Sequence, residues 1–194
     1  MLEDRSLHGK WDERYQASEP GSGEPARVLR DYAHLLPHRG DALDLACGMG
    51  ANALFLARRG LVTQAWDISQ VAIAKLRAYA DTQGLPLQGR VHDAIAQPPA
   101  PGTVDVIVIA HFLERDLAGH LVDALRLGGL LFFQTFTRTF VNPAGPSQDI
   151  FRLGDNELLG MFPSLRVLAY REEGTVGDTA QGFRDEALLV ALKE

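Results

Sequence analysis

The chain has 194 residues, 46% of them apolar, with 25 acidic against 19 basic side chains for a net charge of −6; the length suits one domain with a sizeable core, and an acidic surface with scattered basic residues argues against DNA or RNA as a partner. A single cysteine, Cys47, excludes an internal disulfide and a thiolate metal cage, so no metal site is expected. The charged opening MLEDRSLHGKWDERY lacks the apolar core of a secretory signal, and no run approaches the roughly 20 apolar residues of a bilayer span, so the expectation is a cytoplasmic protein with no membrane partner.

In chain order, Trp11, Arg14 and Tyr15 fall on one helical face. ASEPGSGEP then interrupts the chain, and a second helix is expected over 26–36, with Val28, Leu29, Tyr32 and Leu36 at helical spacing. DALDLAC (41–47) reads as a strand, the next residues as a glycine turn, and NALFLARRG (52–60) as a helix closed by Gly60. LVTQAWD (61–67) is a second strand, and Ser69 caps a helix over 70–83. Strands follow at 87–93 and 104–112, a helix at 117–129 and a strand at 130–136. Strands alternating with helices, each apolar enough to be covered on both faces, make a doubly wound α/β sheet. A Pro/Gly/Asn-rich loop over 137–154, a short helix DNELLGMF and two runs, LRVLAYRE and EALLVALK, finish the chain; with no helix between them, the two runs should pair as an antiparallel hairpin at the sheet edge.

The ligand crevice of an open parallel sheet lies beyond the carboxyl ends of the strands where the winding reverses, next to the first strand. Gly48 and Gly50 stand there, where glycine permits positive φ and close approach to the main chain. Gly48, Gly50 and Ala53 also satisfy the dinucleotide fingerprint, which alone is a weak signal. A pyrophosphate would find Asp44, inside the first strand, an awkward neighbour, whereas a ligand bearing an ammonium and a sulfonium would welcome it. Asp67 closes the second strand, where a carboxylate can accept ribose hydroxyls, and Asp93 closes the third, within reach of an adenine amino group. The combination favours a cationic adenosyl ligand without phosphate. A nicotinamide oxidoreductase and a non-catalytic cofactor-binding regulator are the rival readings.

At these residues the chain resembles the class I S-adenosylmethionine-dependent methyltransferases. LDLACGMGANALFLARRG is similar to their first motif, VTQAWDIS to their ribose-binding acid, VHDAIA to their adenine-side acid, DVIVIAHFLE to their fourth strand and LRLGGLLFFQTF to the step into their fifth. WDERY and NELLGMF resemble elements of the small bacterial tellurite-resistance and thiopurine methyltransferases. The resemblance implies a seven-stranded, mostly parallel sheet with an antiparallel last strand, S-adenosylmethionine as cofactor and methyl transfer to a small molecule. It implies one methyltransferase domain over 1–194, with 1–40 a helical lid, 41–136 the cofactor-binding core, and 137–194 a substrate-side loop and hairpin. Carried over by position, Asp44 sits near the methionyl ammonium, and Ala46, Cys47, Gly48, Gly50 and Asn52 line the cofactor. Asp67 holds the ribose, Ile68 packs on the adenine face, and Asp93 and Ala94 meet its edge. His111 borders the sulfonium. Read from the residues themselves, Trp11 and Tyr15 either cover one edge of the sheet or form a lid over the methyl-transfer chamber, and Arg14 either makes a surface ion pair or captures a carboxylate or an anionic substrate. Ala46 departs from the pattern, standing where the family usually has its first glycine, which implies altered loop packing with binding retained.

Methyl transfer needs alignment and exclusion of water above all. A soft acceptor such as a thiol or a selenium or tellurium oxyanion needs no base; an oxygen or nitrogen acceptor would call on His111. The segment IAHFLE lacks the (D/N)-P-P-(Y/F) arrangement that grips nucleobase amines, which turns the expectation toward a small-molecule acceptor.

Overall fold

Strands that are apolar on both faces must be covered on both faces, and helices connecting parallel strands supply that cover. The computed structural model describes residues 2–194, with side chains from Leu7 onward. Seven strands form one sheet: β1 (Asp41–Leu45), β2 (Val62–Asp67), β3 (Leu87–Val91), β4 (Val104–Ala110), β5 (Leu125–Phe136), β6 (Arg166–Glu172) and β7 (Glu186–Leu192), in the order β3-β2-β1-β4-β5-β7-β6. The pairs from β3 through β5 are all parallel, and β7 is antiparallel to both β5 and β6. The expected doubly wound, mostly parallel sheet with its antiparallel hairpin is thus the fold. The winding reverses between β1 and β4, which places the crevice above their carboxyl ends.

Six α-helices are described: α1 (Leu2–Tyr15), α2 (Arg27–Asp31), α3 (Ala51–Arg58), α4 (Gln70–Thr82), α5 (Ala118–Ala124) and α6 (Glu157–Met161). Alternation along β4 divides the core. Ile107 and Ile109 pack with Leu121, Leu158 and Phe162, while Val106 and Val108 pack with Leu29, Leu56 and Phe132. Ser69 caps α4 by accepting the Ala72 amide, as its position implied.

Two expected helices are shorter than their apolar pattern. Over 26–36 the helix breaks after Asp31 into a 3-10 turn at Ala33–Leu35. Over 117–129 only Ala118–Ala124 is helical, and LRLGG belongs to β5. There the chain pairs Leu125 with Val104, shifts register, and resumes at Leu130 opposite Val106; Gly128 takes a φ of 79° in the irregularity. Leu125 and Leu130 are buried by this pairing, so the apolar spacing that suggested a helix comes from a bulged strand.

Candidate functional site

Asp44 lies on a strand flanked by two others, and its side chain is fully buried. One carboxylate oxygen accepts the Ala53 amide in the first turn of α3 at 2.9 Å, a favourable place for negative charge. The other oxygen, Oδ1, has no hydrogen-bond partner, and it is the one buried side-chain polar atom so placed among the described residues. Burial raises the Asp44 pKa to about 7, against the pull of the Ala53 amide and the Asn52 side chain, with Asp67 adding to the rise. A buried carboxylate with an open lone pair is a receptor for a cation.

Between Asp44 and α3 the backbone turns through three left-handed residues: Ala46 (φ 56°), Gly48 (52°) and Gly50 (77°). A methyl built on Gly50 would stand 2.5 Å from both δ-carbons of Leu76, and one on Gly48 would stand 2.7 Å from the Tyr15 hydroxyl oxygen. Both glycines are favoured by their φ, and a larger residue at either would also displace the side chain packed against it, Leu76 in the core or Tyr15 on α1. Cys47 is a partly buried filler whose amide donates to the Trp66 carbonyl at 2.9 Å, and burial pushes its thiol well up. Asn52 is buried beside them and its Oδ1 accepts the Ala26 amide at 2.8 Å, tying the start of α2 to the turn.

Asp67 is buried at the end of β2. Its two oxygens accept the amides of Gly48 and Ser69, each at 2.8 Å, and burial raises its pKa. Asp67 therefore pins the glycine turn to the next helix, so its removal loosens the turn. Ile68 is half-buried beside it. Asp93, beyond β3, accepts the Ile95 and Ala96 amides at 2.9 and 3.2 Å through one oxygen, an ordinary turn-closing arrangement. Ala94 is buried in the core that contains Leu45 and Trp66.

α1 lies against this turn. Asp12 accepts the Ser69 hydroxyl at 2.6 Å and the Val71 amide at 3.1 Å, while Lys75 donates to the Gln16 and Ser18 carbonyls at 2.7 and 2.8 Å. Tyr15 is brought over Gly48, and burial, followed by the Asp67 carboxylate, raises its phenol. Trp11 stacks on Tyr15 with ring centroids 5.8 Å apart, and the Arg14 guanidinium lies 5.5 Å from the Trp11 ring centroid. Tyr15 thus meets the turn with Trp11 stacked behind it, whereas exposed Arg14 packs on Trp11. Asp12 and Lys75 escaped the sequence reading; an acid and a base that dock two helices 60 residues apart carry no local signature.

His111 leaves β4 in a left-handed conformation, φ 58°, as Ala46 leaves β1; each is the first residue past the end of its strand. Its Nε2 lies 2.8 Å from Glu186 Oε1, and its ring stacks on Phe136 at 4.8 Å. Gln134 donates through its side-chain amide to the other Glu186 oxygen and accepts the Val28 amide at 2.7 Å. Neither Glu186 nor Gln134 was singled out from sequence, although a glutamine inside LLFFQTF was an available clue.

The loop after β5 is closely tied. Buried Arg152 donates to the carbonyls of Thr137, Ala144 and Pro146, and its guanidinium lies over Phe136 and Phe140. Asp185 accepts the Val141 and Asn142 amides, and Arg115 holds Glu157 together with the Ile150 and Arg152 carbonyls. Glu114 caps the turn that follows β4 by accepting the Asp116 amide, and Arg115 beside it is this clasp. Among the described residues no group of three His, Cys, Asp or Glu side chains could hold a metal ion, and no helix is long and apolar enough to cross a membrane.

Residues 42–129 match the family model of a methyltransferase domain. The chain is 30% identical over 107 residues to the mitochondrial ubiquinone biosynthesis O-methyltransferase of Schizosaccharomyces pombe, a match covering 51% of the chain and 39% of that protein. It is 35% identical over 81 residues to the 2-heptyl-1-hydroxyquinolin-4(1H)-one methyltransferase of Mycobacteroides abscessus, covering 41% of the chain and 36% of that protein. The chain therefore spans less than two fifths of each of these relatives. The crystal structure of TehB from Haemophilus influenzae superposes with a TM-score of 0.71 at 21% identity, covering 95% of this chain and 67% of that one, and shares the fold.

Proposed function

We propose, from the premise that residues 42–129 match a methyltransferase domain on the class I fold, that the protein transfers a methyl group from S-adenosylmethionine to a small-molecule acceptor. The observation that carries this reading is Asp44: a fully buried carboxylate with one unpartnered oxygen, beside a left-handed turn that a second buried carboxylate, Asp67, holds in place. Such a crevice fits a cation and resists a diphosphate, which would add negative charge where burial already opposes it.

S-adenosylmethionine, when bound, supplies an activated methyl on a sulfonium. Asp44 faces its ammonium, the main chain of Ala46, Cys47, Gly48 and Gly50 lines it, and Asn52 supports the turn. Asp67 takes the ribose and Ile68 the adenine face, with Asp93 and Ala94 at the adenine edge. Tyr15 and Trp11, with Arg14, form the cover that keeps water from the methyl. His111 stands on the acceptor side. Residues 1–40 then form the lid, 41–136 the cofactor-binding core, and 137–194 the acceptor side, in one cytoplasmic domain without a nucleic-acid partner.

The relatives named above divide the acceptor question. A thiol or a tellurium or selenium oxyanion, suggested by the tellurite-resistance resemblance, needs no base. The two curated relatives are named for an O-methyl transfer and for a hydroxyquinolone. Calorimetric titration with S-adenosylhomocysteine and with NADH tests the cofactor, with heat expected from the first alone. Binding of NADH in its place overturns the reading in favour of an oxidoreductase. Isotope transfer from labelled S-adenosylmethionine to thiols, tellurite, phenols and amines then separates an enzyme from a regulator that only binds.

A further inference from the structure

Four groups from separate parts of the chain converge on the acceptor side of the crevice. The Val28 amide donates to Gln134 at 2.7 Å, the Gln134 amide donates to Glu186 Oε2, and Glu186 Oε1 lies 2.8 Å from His111 Nε2. Gln134 is buried, with 4% of its surface exposed, and Glu186 keeps 17% of its side chain exposed against 46% for His111. A carboxylate can only accept, so His111 Nε2 carries its proton toward Glu186 and Nδ1 is the ring's lone-pair nitrogen. The amide of Gln134 fixes the carboxylate, which fixes the tautomer and, with Phe136 stacked 4.8 Å away, the plane of the imidazole.

The backbone pays for this placement. His111 holds a φ of 58°, a conformation that L residues adopt only under strain, and its amide is anchored to the Gln134 carbonyl at 2.9 Å. Backbone strain of this kind at the mouth of a strand, aiming one nitrogen of a half-exposed imidazole at a part-buried carboxylate and leaving the other free to accept, is a proton-accepting arrangement. A soft anion has no use for it. The loop beyond Phe136 adds a second constraint: Phe140, Val141, Ile150 and Phe151 are 41%, 36%, 64% and 49% exposed on a segment that Arg152, Arg115 and Asp185 hold in place. Four large apolar side chains on one tied loop beside the site suit an apolar partner.

We propose that His111 is a catalytic base with Glu186 as its positioning residue, and that the acceptor is a hydroxyl on an apolar aromatic ring. This rests on the methyltransferase reading above and names its acceptor class. The acceptor oxygen bonds to the methyl carbon as the methyl–sulfur bond breaks, its electron pair staying on sulfur. The hydroxyl proton passes to His111 Nδ1, and Glu186 balances the imidazolium until the proton leaves to solvent. The products are the methyl ether, S-adenosylhomocysteine and one proton.

The test compares 4-propylphenol with 4-propylbenzenethiol, two probes of one shape of which the thiol ionises without help. With S-adenosylhomocysteine affinity measured in each variant, His111→Ala should lower the phenol-to-thiol ratio of kcat at least a hundredfold and Glu186→Gln about tenfold, with Glu186→Asp restoring part of the loss. Nitrogen-15 NMR of the imidazole should show the Nε2–H tautomer of His111 in the unmodified protein and a mixed population in Glu186→Gln. An unchanged ratio with intact S-adenosylhomocysteine binding, methylation of the thiol without the phenol or of neither, or an Nδ1–H tautomer overturns this inference alone. Loss of S-adenosylhomocysteine binding in the unmodified protein overturns the underlying reading and this inference with it.

Discussion

The crevice has two sides built on different principles. On the β1–β2 side, the groups that shape the glycine turn itself are close in sequence, with only the covering α1 reaching it from 57 residues away: Asp44 and Ala53 are nine residues apart, Asp67 and Ser69 two, and Gly48 and Asp67 nineteen. On the β4–β5–β7 side, His111 and Glu186 are 75 residues apart, Gln134 and Glu186 52, and Val28 and Gln134 106. A ligand common to many enzymes can be held by one local strand–turn–helix unit, whereas an acceptor is met by whatever elements the fold brings to the opposite edge. The two sides should therefore fail separately.

The largest expected effect tests that separation on the acceptor side. Arg152→Met keeps an unbranched apolar stem but removes the donors that hold the carbonyls of Thr137, Ala144 and Pro146. At about 1–3 kcal/mol for each unsatisfied carbonyl, tempered by water reaching the loop, roughly 3 kcal/mol of local stability is lost. Hydrogen exchange and limited proteolysis should then find the 137–154 loop open, while S-adenosylhomocysteine affinity stays within threefold. A tenfold loss of that affinity would show that the two sides are one cooperative unit.

This asymmetry also explains how much the sequence revealed. The sheet, its hairpin and the Asp44, Gly48, Gly50, Asp67 set were legible because each depends on spacing within one unit, and Asp44 stood out as a charge inside an apolar run. Glu186 and Gln134 were not, because their meaning comes from the pairing of β5 with β7, where Phe136 lies opposite Glu186. Arg152 reads as one more loop cation until its three carbonyl partners are known. LRLGG misled for a related reason: the bulge that makes it strand depends on Val104, more than 20 residues earlier.

An intermediate effect belongs to the cofactor side and is read by pH. Asp44 has its pKa raised to about 7 by burial, above the roughly 3.9 of an unfolded chain, so the fold favours its protonated form. Its contribution to ligand-free stability is full below pH 4 and is lost as pH rises through 7. A bound ammonium reverses the preference, so binding below pH 7 must release a proton. S-adenosylhomocysteine affinity should therefore be roughly tenfold weaker at pH 6 than at pH 8, with buffer-dependent heats at the lower pH. Asp67, raised in the same direction, adds to the trend. In Asp44→Asn the affinity should be low and nearly flat with pH. A flat profile in the unmodified protein would mean that Asp44 does not face the ligand's charge.

The smallest effect sets the two sides against each other at one conformation. Ala46 and His111 both leave adjacent strands at left-handed φ, 56° and 58°, and each carries a cost of about 1–2 kcal/mol that glycine would avoid. At position 111 the strain aims an imidazole at Glu186. At position 46 the side chain is a single methyl that touches the edge of the core and bonds to nothing. Ala46→Gly relieves the backbone, loses that methyl contact and adds about 0.5–1 kcal/mol of unfolded-state entropy, leaving a net gain of roughly 0.5 kcal/mol. Thermal unfolding should rise by about 1–2 °C with S-adenosylhomocysteine affinity unchanged. His111→Gly gains from the same relief but surrenders the ring held between Phe136 and Glu186, so any rise in stability there comes with loss of the proton acceptor. If Ala46→Gly instead destabilises by roughly 1 kcal/mol or more, the methyl belongs to the core packing, and the left-handed residue on the cofactor side is held by its side chain just as its counterpart across the crevice is.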